Sequence, residues 1–325
     1  MEGARRARRG SRRRGHDRHP RIHEDGDTRR RPAGRDGYRG QRRRRRGRSR
    51  GRRHRGRRIK TGPVEPLVLV EHGPVAILTL NRPDRRNALS AEMLAELTEG
   101  LDAIAHDHTA RCILMRGGGK HFCAGADFSD ISAGAEEGAR YGGGFEMLLR
   151  AIEEHRLPVV CEVHGAALGA GCQLLAAADL SVAATDARIG IPSARIGILL
   201  DLEKIQRMID VVGAARVREM LLTGREIGGE EAAAWGLVSK AVPPEQLAGA
   251  ARELADRVAA NAPLSVQGSK AAIREILGHD ALSRVVHPGV FAVHDEASLR
   301  ALTSADAQEG LAAMRERRPP GFTGA

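Results

Sequence analysis

Two clusters of very small residues carry the strongest chemical signal in the chain. One is His121-Phe122-Cys123-Ala124-Gly125-Ala126-Asp127-Phe128, just after an apolar run. The other is Gly165-Ala166-Ala167-Leu168-Gly169-Ala170-Gly171-Cys172-Gln173, between a strand-like run and a helix-like one. Small side chains let a ligand reach the main chain, and a helix N-terminus offers N–H groups with no intrahelical partner. Two such N–H groups converging on one oxygen form an oxyanion hole. Tight turns and close helix–strand packing use the same composition, and that reading competes for either cluster alone. Two clusters, each closing a strand, weaken it.

Other catalytic signatures are missing. Gly117-Gly118-Gly119-Lys120 lacks the spacing and the following Ser/Thr of a phosphate loop. There is no G-x-S-x-G elbow, no H-E-x-x-H, and the glycines at 165–171 do not follow G-x-G-x-x-G. Cys112, Cys123, Cys161 and Cys172 sit in apolar stretches with no C-x-x-C pair, which predicts reduced, buried thiols rather than a zinc site or disulfides. His164, His287 and His294 lack ligand spacing and read as structural. No metal is expected.

The elements around the clusters read as an α/β core followed by helices. Leu67–Glu71 and Val75–Leu80 are β-rich runs joined by His72-Gly73-Pro74, a hairpin pattern. Ser90 stands at an N-cap position before Met93, Leu94, Leu97, Leu101 and Ile104, one face of a helix. Further strands are expected at Cys112–Met115, Val159–Val163 and Leu180–Ala183, with a helix from about Gly169 to Ala177. Helices are then expected at 203–211, 213–222, 229–235 and 245–276, with more helix from 280 to 317. The division follows as a tail at 1–60, a core at 61–260 and a helical subdomain at 261–325.

The formal net charge of +12 describes neither end of this 325-residue chain. Residues 1–60 hold 26 Arg and 1 Lys against 6 acidic residues, while the remainder carries 26 basic and 35 acidic side chains. Runs such as Arg42–Arg46 cannot bury surface, so the tail reads as disordered. Three readings of it stay open. It binds RNA or membrane through charge alone, it is a transit peptide, or it has no evolved function and is translated from upstream of the true start. Glu24, Asp25 and Asp27 argue against the transit peptide. Tyr38 is its one aromatic, so stacking platforms for single strands are missing, and nucleic-acid binding is expected only through this tail. No window approaches the roughly 18 apolar residues of a membrane span, and no apolar run opens the chain, so a cytoplasmic protein is expected.

Four motifs in order resemble one family. Leu80-Asn81-Arg82-Pro83 through Arg86-Asn87-Ala88-Leu89, the run at 122–128, His164-Gly165 through Gln173, and Arg317-Arg318-Pro319-Pro320-Gly321-Phe322 are similar to the enoyl-CoA hydratase/isomerase (crotonase) superfamily. The resemblance runs from about Val64 to Ala325. It implies a crotonase-like spiral of ββα units with a C-terminal helical trimerisation subdomain, hence a homotrimer or a dimer of trimers. It implies an acyl-CoA thioester as ligand, with coenzyme A part of the substrate and no separate cofactor. The thioester carbonyl would lie between the N–H groups of Ala126 and Ala170, with the adenine near Ala124. Arg86, Ala88, Gly125, Asp127 and Gly169 would contact the same ligand, and Arg85, Arg86 and Lys120 are candidates for its phosphates.

The chain departs from the hydratase pattern at both glutamates, which are Gln173 and Ser193 here and which the resemblance places as substrate-binding residues above the acyl chain. Gln cannot take a proton at neutral pH, and Ser needs a base of its own. Each lost acid–base group should cost about 10²–10⁴ in rate. Gly197-Ile198-Leu199-Leu200-Asp201 is similar to the isomerases' carboxylate stretch and makes Asp201 the candidate base for a 1,3-proton shift. Flanking Ile198, Leu199, Leu200 and Leu202 are expected to raise its pKa by desolvation. Asp201 is also a natural N-cap for the next helix, and both roles can coexist. Glu203 and Lys204 are expected to narrow the acyl pocket. The activity expected is an enoyl-CoA isomerase-like proton shift ahead of hydration. The alternative is a non-catalytic acyl-CoA carrier or sensor that has lost both glutamates.

Overall fold

The computed structural model describes residues 65–127, 135–277, 300, 304–316 and 318–324. The Arg-rich segment, Phe128, His287, His294 and Arg317 lie outside the described residues. Chain contacts divide the molecule between Thr61 and Gly62, and all described residues belong to the second unit.

The expected hairpin forms from β1 (Val68–Glu71) and β2 (Val75–Leu80), antiparallel with Val68 opposite Leu80. Ser90 caps α1 (Ala91–Ala105) by accepting the Met93 N–H at 3.3 Å. The inner face of α1 buries Met93, Leu94, Leu97, Leu101 and Ile104, as the spacing predicts. Its outer turn ties back to β1, because Glu96 Oε2 accepts the N–H groups of Leu67 and Val68 at 2.8 and 3.0 Å.

Next come β3 (Cys112–Gly117), α2 (Ala135–Glu154), β4 (Val159–Val163), β5 (Ala166–Leu168) and α3 (Ala170–Ala177). They are followed by β6 (Leu180–Ala184), β7 (Arg188–Gly190), α4 (Leu202–Val212) and α5 (Ala214–Thr223). Then come β8 (Glu226–Ile227), α6 (Gly229–Trp235), β9 (Lys240–Val242), α7 (Leu247–Ala259), α8 (Pro263–Leu277) and α9 (Ala305–Glu316). One sheet runs β1-β2-β3-β4-β6-β9 and is parallel except at β1–β2. A smaller sheet joins β5, β7 and β8. The apolar runs Cys112–Met115 in β3 and Val159–Cys161 in β4 fit strands covered on both faces.

One expectation needs correction, and one element was missed. The single helix at 245–276 is two helices, interrupted at 260–262. Pro263 is the cause, since the residue before proline is disfavoured in helical geometry. The helix α2 was not anticipated, although Tyr141, Phe145, Leu148, Leu149 and Ile152 are buried at helical spacing. The four cysteines are free and buried, and burial pushes the Cys112, Cys123 and Cys172 thiols up to about 12. They are neutral packing groups, as expected. No helix among the described residues is long and apolar enough to cross a membrane.

Candidate functional site

Neighbouring parallel strands exit a sheet at the same end, where α/β sheets open their ligand crevices. Strands β3 and β4 pair in parallel, Ile113 opposite Val159. Their C-terminal ends lead directly into the two small-residue clusters, so the topology brings both to one edge.

Main-chain hydrogen bonds then fix the clusters against each other. Cys123 N donates to Ala166 O at 2.9 Å, and Leu168 N donates to Cys123 O at 3.0 Å. This parallel bridge pairs Cys123 with Ala167, and Ala126 and Ala170 each lie three residues further on. Only glycine permits the approach. A Cβ on Gly171 would stand 2.3 Å from Cys123 O, and one on Gly125 would stand 3.0 Å from Leu168 O at a φ of +112°.

The Ala126 peptide is clamped from both sides. Leu89 N donates to Gly125 O and Asp127 N to Leu89 O, each at 2.8 Å. Ala170 is the first residue of α3, where the N–H has no helical acceptor. Neither the Ala126 nor the Ala170 N–H is engaged in a hydrogen bond among the described residues.

A polar knot holds the clamp. Asn87 is fully buried at a φ of +55°, a region Asn tolerates. Its Oδ1 accepts Arg82 N at 2.9 Å, and its Nδ2 donates to Gly118 O and His121 O at 2.9 and 2.7 Å. Arg82 Nη1 donates to Ala88 O at 3.0 Å and to Asp127 Oδ2 at 2.6 Å. Ala124 N donates to Arg86 O at 3.0 Å. Arg86, Ala88, Ala124, Gly125 and Asp127 are thereby brought together. The side chains of Arg85, Arg86 and Lys120 are exposed. His164 Nε2 meets Gly119 O at 3.1 Å, a structural role. Burial, then the charges of Arg86, His164, Arg188 and Lys120, hold the His121 pKa below its usual value, so its Nδ1 accepts the Ala166 N–H as neutral imidazole.

The side chains expected above the acyl chain fall into two groups. Gln173 is 2% exposed, and neither its Nε2 nor its Oε1 has a hydrogen-bond partner among the described residues. Ser193 lies in a short 3₁₀ turn (Pro192–Ile196), three residues past the Gly190 carbonyl that accepts Gly169 N at 2.8 Å. Asp201 lies further along and is solvent-exposed. It caps α4 by accepting Lys204 N at 3.0 Å and pairs with the Lys204 ammonium.

The expected rise in the Asp201 pKa is overturned. Burial does push it up, but the Lys204 side chain and N–H, then the Lys204 and Arg207 charges, outweigh this and hold it below the ordinary value. Two of the flanking side chains add little to that burial because they face water, with Leu199 89% and Leu202 78% exposed. Lys204 itself is buried, within 3.6 Å of Glu146 on α2, and Glu203 pairs with Arg150 at 3.1 Å.

Glu146 is the residue sequence reasoning missed. Its carboxylate lies within 4.8 Å of those of Asp201 and Glu203. Arg207, 4% exposed, joins Glu146 at 2.8 Å and Glu153 at 2.5 Å. Helical spacing of α2 with Phe145 and Leu149 was the available signal. An open groove of about 840 Å³ is bordered by Gly142, Gly143, Glu146, Asp201 and Glu203. A separate cavity of about 960 Å³ lies between β6, α7 and α8, and none of the expected site residues lines it.

The profile of the enoyl-CoA hydratase/isomerase family matches residues 71–325. The short-chain-enoyl-CoA hydratase of Clostridium acetobutylicum is 32% identical over 254 residues, covering 78% of this chain and 95% of that protein. The 1,2-epoxyphenylacetyl-CoA isomerase of Escherichia coli is 33% identical over 260 residues, covering 78% of this chain and 97% of its own. The crystal structure of enoyl-CoA hydratase from Bacillus anthracis superposes with a TM-score of 0.72 at 31% identity, covering 80% of this chain and 100% of that one. The mixed α/β body is thus a crotonase fold, and the chain belongs to the enoyl-CoA hydratase/isomerase family.

Proposed function

We propose that the chain binds acyl-CoA thioesters, polarises the carbonyl with the Ala126 and Ala170 N–H groups, and moves a proton along an enoyl chain. The observation that carries this reading is the pair of uncommitted N–H groups, each three residues past one side of the Cys123–Ala167 bridge. An oxygen held between them gains stabilisation as charge develops on it when the neighbouring carbon loses a proton. One such donor contributes about 10²–10³ in rate. Arg86, Ala88, Ala124, Gly125, Asp127 and Gly169 border the path of the coenzyme A portion. Coenzyme A belongs to the substrate, and the reaction asks for no other cofactor.

Asp201 takes the proton from C2 or C4 and returns it to the other carbon, so the double bond shifts with no net redox change. Its ionised form is the one that accepts a proton, and Lys204 favours that form. Gln173 and Ser193 have no carboxylate with which to activate water. Assembly as a homotrimer or a dimer of trimers is part of the proposal, and exposed Leu199, Leu202 and Leu222 support subunit contacts.

One observation favours a second reading, an acyl-CoA carrier or sensor. The hold of Lys204 on Asp201 weakens it as a base, and no glutamate stands at 173 or 193. A panel of 2-enoyl- and 3-enoyl-CoA substrates separates the two. Conversion of 3-enoyl- to 2-enoyl-CoA, lost in Asp201→Asn while binding persists, supports the isomerase. A wild type that binds the panel and turns over none of it supports the carrier.

A further inference from the structure

An ammonium beside a carboxylate weakens it as a proton acceptor, and Lys204 stands in that place beside Asp201. The Lys204 side chain is 10% exposed, with its ammonium 5.6 Å from the centre of the Phe145 ring. Two carboxylates share it. Asp201 binds it directly, and Glu146 on α2 has its Oε2 3.6 Å away. Asp201 and Glu146 border the open groove, and Lys204 does not. The ammonium therefore sits behind both carboxylates as seen from the groove.

Glu146 is held ready as a second partner. Arg207 donates to its Oε1 at 2.8 Å and to its Oε2 at 3.4 Å, and Glu153 fixes Arg207 in turn. Arg150 adds a longer bond to Oε1 at 3.4 Å and pairs more closely with Glu203, at 3.1 Å. Burial pushes the Glu146 pKa up, but Arg207, Lys204 and Arg150 outweigh this and keep the carboxylate ionised. Helix α3 brings no charged side chain to the cluster. A lysine stem is flexible, so a small rotation closes the remaining gap to the roughly 2.8 Å of a charge-assisted bond.

Proton transfer creates the need for that rotation. Before the step, Asp201 and Glu146 are both ionised and Lys204 lies between them. When the C–H bond at C2 or C4 breaks, its electron pair moves into the enolate held by the Ala126 and Ala170 N–H groups. The proton bonds to Asp201, which becomes neutral, and the buried ammonium loses a counter-ion. A buried charge left unpaired is strongly disfavoured. Glu146 supplies the counter-ion for that state and yields Lys204 again when the proton passes to the other carbon. We propose that Glu146 is a positioning residue for the proton shift, taking over the Lys204 ammonium while Asp201 carries the substrate's proton. The inference rests on the reading of Asp201 as the base and adds the group that lets a lysine-bound carboxylate act as one.

The test follows conversion of 3-hexenoyl-CoA to 2-hexenoyl-CoA by the full chain across pH. In Glu146→Gln the ammonium has only Asp201 to pair with. The kcat should fall about tenfold or more with KM within about twofold, since Glu146 acts through Lys204 rather than on the ligand. The acid limb of kcat should also move to lower pH by about half a unit or more, because Lys204 then holds Asp201 ionised more firmly. A merely structural role would change stability and leave that limb in place. The loss should largely disappear in a Lys204→Met background, where no ammonium needs a second partner. If Glu146→Gln does not fold, Glu146→Asp, which keeps a charge for Arg207 but withdraws it from Lys204, should show the same fall. A folded variant with kcat within about threefold of wild type, an unmoved acid limb, or a loss undiminished by Lys204→Met overturns the proposal and leaves the isomerase reading standing. A wild type that turns over no 3-hexenoyl-CoA overturns the isomerase reading and this inference with it.

Discussion

The loops around Ala126 and Ala170 and the surface around Asp201 are built by different means. In the first, main-chain bonds of 2.9–3.0 Å lock one small-residue segment to another, and glycines admit the contact. In the second, charges on α2 and α4 neutralise one another through Arg207, Lys204, Glu146 and Asp201. Backbone donors keep their position and polarity whatever the pH. Carboxylates take theirs from their neighbours, and Lys204 has set Asp201 opposite to what its apolar flanks suggested. The half of the proposed site that would polarise a ligand is therefore fixed by the backbone, and the half that would move a proton is tunable.

The largest effect expected is on the charged half. Arg207→Met leaves the Glu146 and Glu153 carboxylates facing each other, with side chains only 14% and 8% exposed. Removing one partner of a buried ion pair costs about 3–5 kcal/mol. Urea denaturation measures it, and a loss below about 1 kcal/mol would mean the network does not hold α2 on α4. Next comes the backbone half. Gly171→Ala forces a methyl group against Cys123 O and should cost about 2–3 kcal/mol, with acyl-CoA binding lost as well. Unchanged binding in a folded Gly171→Ala protein would uncouple the two clusters.

A smaller effect separates the halves by pH. Glu146 and Asp201 have pKa values depressed in the folded chain, against the push of burial. The stability they contribute is present above the unfolded carboxylate value of roughly 4 and is lost as pH falls through their folded values. Acid titration of the melting temperature should therefore show a decline below about pH 4 that is shallower in Asp201→Asn. The smallest effect is that of Asp201→Asn at neutral pH. Asn caps about as well as Asp, so stability should stay within about 1 kcal/mol while enoyl turnover disappears. Clear hydration surviving in that variant would reveal a water-activating group other than Gln173, Ser193 and Asp201.

The same contrast explains what could be read in advance. The β1–β2 hairpin, the Ser90 cap and β4 were legible because turn residues, capping chemistry and apolar runs are local signals. The small-residue clusters were legible because glycine and alanine report backbone approach directly. Strands β5, β7 and β8 were missed because two or three residues give too little pattern, and their pairing is set by tertiary contacts. Helix α2 was missed because Gly142-Gly143-Gly144 interrupts its periodicity. The electrostatics of Asp201 turn on Lys204 and Arg207, whose side chains reach it only once α4 has formed, so its apolar flanks alone suggested the wrong sign. Ile198, Leu199 and Leu202 read as desolvating neighbours in the sequence, but they turn toward solvent in the fold.

The central claim is that main-chain N–H groups at Ala126 and Ala170 polarise a thioester carbonyl. Isotope-edited infrared spectroscopy of a carbonyl-labelled acyl-CoA bound to the full chain tests it most directly. The account predicts a carbonyl band shifted to lower frequency than in the free ligand. It also predicts that Ala170→Pro reverses much of this shift, because proline at the first helical position removes the N–H and leaves the helix intact. A bound ligand whose carbonyl band stays at its free position, or a shift unchanged in Ala170→Pro, would contradict the account.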